Sequence, residues 1–231
     1  MTGFYHYAIL IAANFCISMC ILVDTSTWWI RALSASGNMG RSVSRTNIYS
    51  YSGRFFAFTY MTSLSLLVDT GSTTREICMI VGTSLLIAVA LHMLLLNRSR
   101  FSQSLLLRIS RVLSLDGEAL EAGAETAIPY ARTISRSTAA ASFFLCMALG
   151  APYVLASLVP DFRLTIANIG QILNSIAMIF ILFYVDQSLY RAWDENRLEA
   201  AVRSYNTGRL AGIGAAGAVM IIASLAIALI D

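Results

Sequence analysis

The sequence predicts an all-helical, polytopic membrane protein with six transmembrane helices and a cytoplasmic amphipathic helix at the interface. Three observations carry that prediction. Of the 231 residues, 57% are hydrophobic and only 13% charged, against roughly 25% charged in soluble domains. Apolar runs near the roughly 20 residues needed to cross a bilayer recur along the chain. Arginines cluster in alternate connections between those runs. The spans fall at about 4–23, 43–68, 77–96, 137–159, 164–185 and 210–230, within one transmembrane domain covering 1–231.

The first span begins close to the N-terminus, without a basic flank or a small-residue cleavage site, and reads as retained. The connection after it holds Arg31 and Arg41. The connection after the third span holds Arg98, Arg100, Arg108, Arg111, Arg132 and Arg136. The one after the fifth holds Arg191, Arg197, Arg203 and Arg209. Cytoplasmic loops carry the excess of basic residues, so these three connections are expected inside and both termini outside. The setting expected is a bacterial cytoplasmic membrane. No lysine occurs among the basic residues; arginine's fixed charge and planar fork suit phosphate better than a lysine does, and a GC-rich genome accounts for the bias equally well.

Between the third and fourth spans, residues 101–114 place Leu105, Leu106, Ile109, Val112 and Leu113 on one helical face beside Arg108 and Arg111. That pattern predicts a helix lying on the membrane surface. The acidic stretch after it, Asp116 to Glu125, reads as a solvated loop. In the sixth span, Gly208 and Gly212, with Ala211 and Ala215, give four-residue spacing of small residues, which permits close helix packing within the bundle or between subunits. The runs at 21–33 and 182–193 echo each other, each carrying Val-Asp, a serine and Arg-Ala; a parallel duplication and chance explain this equally.

The second span is the least ordinary. Its first half holds Arg45, Asn47, Ser50 and Arg54, and a charge at membrane depth costs at least about 2.5–3.5 kcal/mol. At about 100° per residue, Asn47, Ser50 and Arg54 share a face, and Asp69 lies near it at the outer end. Arg45 points elsewhere and is either an interfacial anchor or a ligand contact. Arg54 is expected to face inward, on an aspartate or on a ligand. The fifth span aligns Asn168, Gln171, Ser175 and Asp186, with Asn174 adjacent. Asp24 and Asp186 are expected to close two spans at the cytoplasmic level, pairing with Arg31, Arg45, Arg54 or Arg191, or coupling to protons.

Enzymatic signatures are missing from the sequence. There is no His-Glu-x-x-His, no Gly-x-Ser-x-Gly and no phosphate loop, so no catalytic residue is assigned and the protein is not expected to be an enzyme. Cys16, Cys20, Cys78 and Cys146 lie in apolar runs and read as buried small side chains. His92 stands alone among apolar residues. No metal, cofactor or nucleic-acid partner is expected.

Two stretches resemble the Amj family, the alternate lipid II flippases of bacterial cell-wall synthesis. One runs from Asp24 through Arg31, Asn47 and Arg54 to Phe56; the other runs from Val159 to Glu195, and Gly208–Gly212 fits as well. Gly53 stands where the family pattern has serine. The resemblance implies functional positions at Asp24, Arg31, Asn47, Arg54, Asn174 and Asp186. It also implies a passenger, a polyprenyl-pyrophosphate-linked saccharide moved to the outer leaflet for peptidoglycan synthesis. On that basis Arg45 and Arg54 are assigned to the pyrophosphate, and Arg31 to substrate binding. Asn47, Asn174 and Gln171 are assigned to sugar or peptide groups, and Asp24, Asp69 and Asp186 to charge pairing or coupling. Six spans are few to enclose such a headgroup, so a homodimer is expected. The alternatives are transport of another polyprenyl-linked lipid such as undecaprenyl phosphate, a membrane-embedded enzyme acting on polyprenyl phosphates, and a structural assembly partner.

Overall fold

The computed structural model describes residues 2–34, 39–96, 100–115 and 128–229. Among these, all regular structure is helical: α1 (Thr2–Leu33), α2 (Met39–Asp69), α3 (Thr74–Leu96), α4 (Arg100–Val112), α5 (Ala131–Leu158), α6 (Arg163–Phe180), α7 (Asp186–Asp194) and α8 (Leu198–Ala228). One π-helical turn, Ile181–Val185, joins α6 to α7 without a break. The acidic stretch after α4 lies outside the described residues.

Among the described residues, five helices are long and apolar enough to cross a membrane: Tyr5–Leu33, Thr74–Met93, Ala131–Leu158, Asn168–Asp194 and Leu198–Ala228. α2 is as long as α1, but its polar first half keeps it out of that class. The helices also outrun the expected spans. α1 continues through Asp24 to Leu33. The fifth apolar segment continues through Asp186 to Asp194. α8 begins at Leu198, so Arg203 and Arg209 are helical rather than in a loop. Asp24 and Asp186 therefore lie inside continuous helices and do not close them.

Local signals explain the ends. Gly71, at φ +82°, follows α2; its N–H bonds the Val68 carbonyl and the Ser72 N–H bonds the Leu67 carbonyl, the paired closure that favours glycine. Thr73 and Glu76 then cap each other's backbone N–H groups at 2.9 and 3.3 Å, a capping box that starts α3. Asn196, at φ 56°, closes α7 in the same way as Gly71 closes α2, through Asn196 N–H to Trp193 and Arg197 N–H to Ala192.

Helices α1, α3, α5 and α8 form the central bundle, with α2 along α1 and α6 along α5. Small residues set the closest approaches. A Cβ at Gly208 would collide with the Ser135 carbonyl, and one at Gly212 with the Ala139 carbonyl. Residue numbers rise together across that contact, so α5 and α8 run parallel. Gly82 meets Gly217 and Ile221 on α8, which runs antiparallel to α3. Gly208 and Gly212 thus serve packing inside the chain, and their faces are closed to a second subunit. The 21–33 and 182–193 echo does not extend to packing: α1 lies along α2, whereas α6 lies along α5 and only α7 touches α8.

Two apolar clusters stack along the bundle. The larger joins Ala13, Ile17, Tyr60, Leu64, Leu85, Ile213 and Met220. The smaller gathers all three tryptophans, Trp28, Trp29 and Trp193, with Leu189, Val202 and Tyr205. α4 rests against this second cluster through Leu106, and Arg41 donates to the Ser114 carbonyl at its end. Val112, expected on the membrane-facing side of α4, is 83% exposed.

Candidate functional site

Between the two clusters lies a polar layer to which each helix of the central bundle contributes. Asp24 of α1 accepts a hydrogen bond from Arg209 Nη2 of α8 at 3.1 Å. Arg209 Nη1 donates to the Tyr205 hydroxyl, one turn earlier, at 2.8 Å. Arg209 is only 7% exposed, and its Nε has no partner among the described residues. His92 of α3 is buried, with neither ring nitrogen partnered among the described residues, and it lies near enough for the charge of Arg209 to act on it. α5 adds Thr138 and Ser142. Beyond the layer, α1 rises about 33 Å from Asp24 back to Thr2 and α8 about 29 Å from Arg209 to Ala228, at 1.5 Å per residue. Each length matches a hydrocarbon core of roughly 30 Å. The tryptophan cluster lies on the other side of the layer from these lengths.

α1 and α2 are joined beside this layer by a polar seam. Arg31, 5% exposed, donates from Nε to Thr46 Oγ1 at 2.8 Å and from Nη2 to Asn47 Oδ1 at 2.7 Å. Its guanidinium also lies 4.3 Å from the Trp28 ring centroid. Hydrogen bonds of this charged kind contribute about 1.5–3 kcal/mol each. Ser26 meets the Tyr49 hydroxyl at 2.9 Å and Ser34 meets Ser42 at 2.6 Å. Gly53 closes the seam: a Cβ there would stand 3.1 Å from Asp24 Oδ1 and 3.3 Å from Val23 Cγ1. A serine at that position would press on the Asp24 carboxylate, which gives the glycine its local reason.

Several sequence expectations change here. Arg54 does not face the interior. It is exposed, with its guanidinium 4.7 Å over the Tyr51 ring, yet near enough for its charge to act on Asp24. Asn47 is exposed apart from its bond to Arg31, and Ser50 is half-buried and bonds back to the Asn47 carbonyl. Arg45 is exposed as well, and Asp69 is exposed at the end of α2. On α6, Gln171 and Asn174 face outward. α2 and α6 each pack on α5 rather than on one another, so they flank the bundle instead of forming a closed two-helix interior.

A cavity of about 50 Å³ opens between α1, α5, α8 and the π-helical turn. Asp186, Arg209, Tyr205, Thr138, Ser142 and Trp28 bring its polar and aromatic lining; Ile181 and Val185 of the π turn contribute apolar wall. A π turn inside an α-helix frequently marks a functional position, and this one ends immediately before Asp186. Arg31 and Asp186 are near enough for each charge to act on the other. No group of three or more metal-ligating side chains occurs among the described residues.

The residue that sequence reasoning missed is Arg209, which reads as a topology signal when α8 is taken to begin at 210. Its signal was a helical period running through the supposed loop: Leu198, Ala201, Val202, Tyr205, Gly208, Arg209 and Gly212 all turn to the buried side. No protein-family model, curated protein or solved structure matches this chain.

Proposed function

We propose that this protein is a lipid carrier. It moves a polyprenyl-pyrophosphate-linked saccharide from the cytoplasmic to the outer leaflet of a bacterial cytoplasmic membrane, as a lipid II flippase does. The observation that carries the reading is Arg54, an exposed guanidinium whose charge acts on the half-buried Asp24 of the Asp24–Arg209 pair. It has no hydrogen-bonded partner of its own among the described residues. A permanent charge on a span-length helix is costly against lipid, and a headgroup phosphate answers it with charge-assisted hydrogen bonds. Arg45 lies two to three turns away on the same exposed helix. In this reading the layer stands at the edge of a hydrocarbon-thick slab, which suits a substrate whose tail stays in the bilayer while its headgroup crosses. The resemblance of residues 24–56 and 159–195 to the lipid II flippases supplies the passenger.

In this reading α2 is a sixth span and the arginine-rich connections are cytoplasmic, with both termini outside. The outward polar faces of α2 and α6 are shielded by substrate or by a second copy in a homodimer. Asn47, Gln171 and Asn174 contact the saccharide. Arg31, buried and already bonded to Thr46 and Asn47, positions Asn47 rather than touching phosphate.

Arg54→Ala decides the matter. In cells that depend on this protein for wall synthesis, the variant is expected to reach the membrane at normal levels and to abolish growth. In proteoliposomes it is expected to stop movement of a fluorescent lipid II analogue, and excess undecaprenyl phosphate distinguishes a carrier of the simpler lipid by competing. Growth and transport at wild-type rates in Arg54→Ala would overturn the proposal.

A further inference from the structure

The polar layer holds two aspartates in unlike settings, and the difference assigns them different work. Asp24 is bonded to Arg209 at 3.1 Å and lies under the charge of Arg54 as well. Asp186 accepts no side-chain hydrogen bond among the described residues. Its cation, Arg31, already directs Nε to Thr46 and Nη2 to Asn47. Around Asp186 stand Arg31 and Trp28 of α1, Tyr205 and Arg209 of α8, and the hydroxyls Thr138 and Ser142 of α5; Tyr190 follows one turn later on α7 itself.

The cavity in front of Asp186 is polar where it needs to be. Arg209 and Thr138, 7% and 2% exposed, are among its lining residues, and Arg209 Nε and Thr138 Oγ1 have no partner among the described residues. About 10–15 Å³ of such volume holds one water, which needs two to four polar partners. A cavity of about 50 Å³ therefore takes a few.

We infer that Asp186 is the proton-binding group of the transport cycle, reached through water in this cavity, while Asp24 stays an ion-pair partner. The inference rests on the carrier reading above. In the step itself a hydronium in the cavity gives its proton to a carboxylate oxygen of Asp186. An O–H bond forms, water is left, and Arg31 loses the negative charge it faces. Loss of the proton to water restores that charge. Because Arg31 holds Asn47 and Thr46 of α2, each change of charge at Asp186 acts on the helix that carries Arg54.

The test has two arms. Infrared pH-difference spectra of the substrate-free, full-length protein in lipid read protonated carboxyls directly. Wild type is expected to give an H/D-sensitive carboxyl band that Asp24→Asn keeps and Asp186→Asn lacks. Asp186→Glu is expected to retain the band at a displaced frequency, which guards against misfolding of the asparagine variant. A spectrum of Asp186→Asn that superimposes on wild type, or a band lost in Asp24→Asn instead, overturns the inference. In proteoliposomes carrying a fluorescent lipid II analogue, wild-type transport is expected to vary with pH and Asp186→Asn transport to be flat. PH-dependent transport by Asp186→Asn overturns the inference as well. If wild type moves no lipid, the carrier reading fails, and the infrared arm still decides whether Asp186 binds the proton.

Discussion

Arg31 and Arg209 on one side, Arg45 and Arg54 on the other, show what burial does to one side chain. The first two are nearly inaccessible and have partners on neighbouring helices, Thr46 and Asn47 for Arg31 and Asp24 for Arg209, which also bonds Tyr205 of its own helix. Their charge is spent on holding α1 to α2 and α1 to α8. Arg45 and Arg54 project from α2 with no hydrogen bond among the described residues, Arg54 resting only on Tyr51. A buried charge whose partner is removed becomes a large penalty; an exposed one can be lost with little effect on folding. The two pairs therefore separate architecture from recognition, and substitutions at each should move different readouts.

The largest effect is expected at Arg209. Arg209→Leu leaves Asp24 without its hydrogen-bonded cation, and the loss should be about 1.5–3 kcal/mol, read as a large drop in melting temperature in detergent. Asp24→Leu combined with Arg209→Leu should recover most of that stability without recovering transport. If the double variant is no more stable than the single one, the ion pair is not what holds α1 to α8. Next comes Gly208→Ala, whose methyl meets the Ser135 carbonyl on α5. Forcing α5 and α8 apart should cost about 1–3 kcal/mol by the same melts. Arg54→Ala should shift stability by no more than about 0.5 kcal/mol while removing function, and a destabilised Arg54→Ala would erase the contrast between the two arginine pairs.

The smallest effect is expected outside the layer. The Tyr130 hydroxyl donates to Glu195 at 2.9 Å, and Arg191 Nε donates to the same carboxylate at 2.8 Å. The Arg191 bond first, and the Tyr130 bond second, hold the Glu195 carboxyl below its usual range. A carboxyl depressed in the folded state adds stability above its unfolded value and loses it as pH falls through the folded one. Glu195→Gln should therefore lower the melting temperature slightly near neutral pH and converge with wild type on the acid side, so that its decline with falling pH is flatter. A decline as steep as that of wild type would show that this surface contact contributes nothing to folding.

Much of the architecture was legible because membrane-length helices announce themselves by apolar runs, and because caps are local. Thr73–Glu76 and Gly71 mark their boundary within a few residues of chain. The helix extensions were harder to see. Beyond a hydrocarbon-thick slab, a helix no longer needs to be uniformly apolar, so α1 and α8 run on with polar residues that a hydropathy reading takes for loops. The direction of Arg54 was misjudged for a related reason. Helical spacing groups Asn47, Ser50 and Arg54 on one face, but which face turns inward depends on where α1 lies. Ser42, Thr46 and Gly53, with smaller side chains, take the inward side.

The sequence by itself determined that this chain is helical and carries several membrane-length apolar runs, five of them plain and a polar sixth, and that Asp24, Arg31, Arg54 and Asp186 are charges set within or beside those runs. Only the tertiary structure decided which of those charges are partnered. Arg209 meets Asp24 across 185 positions of chain, a contact no local period encodes. The cavity before Asp186 exists only because α1, α5, α8 and a π turn converge there. Burial and pairing are properties of packed helices, and a charged side chain acquires its role from the neighbours that packing supplies.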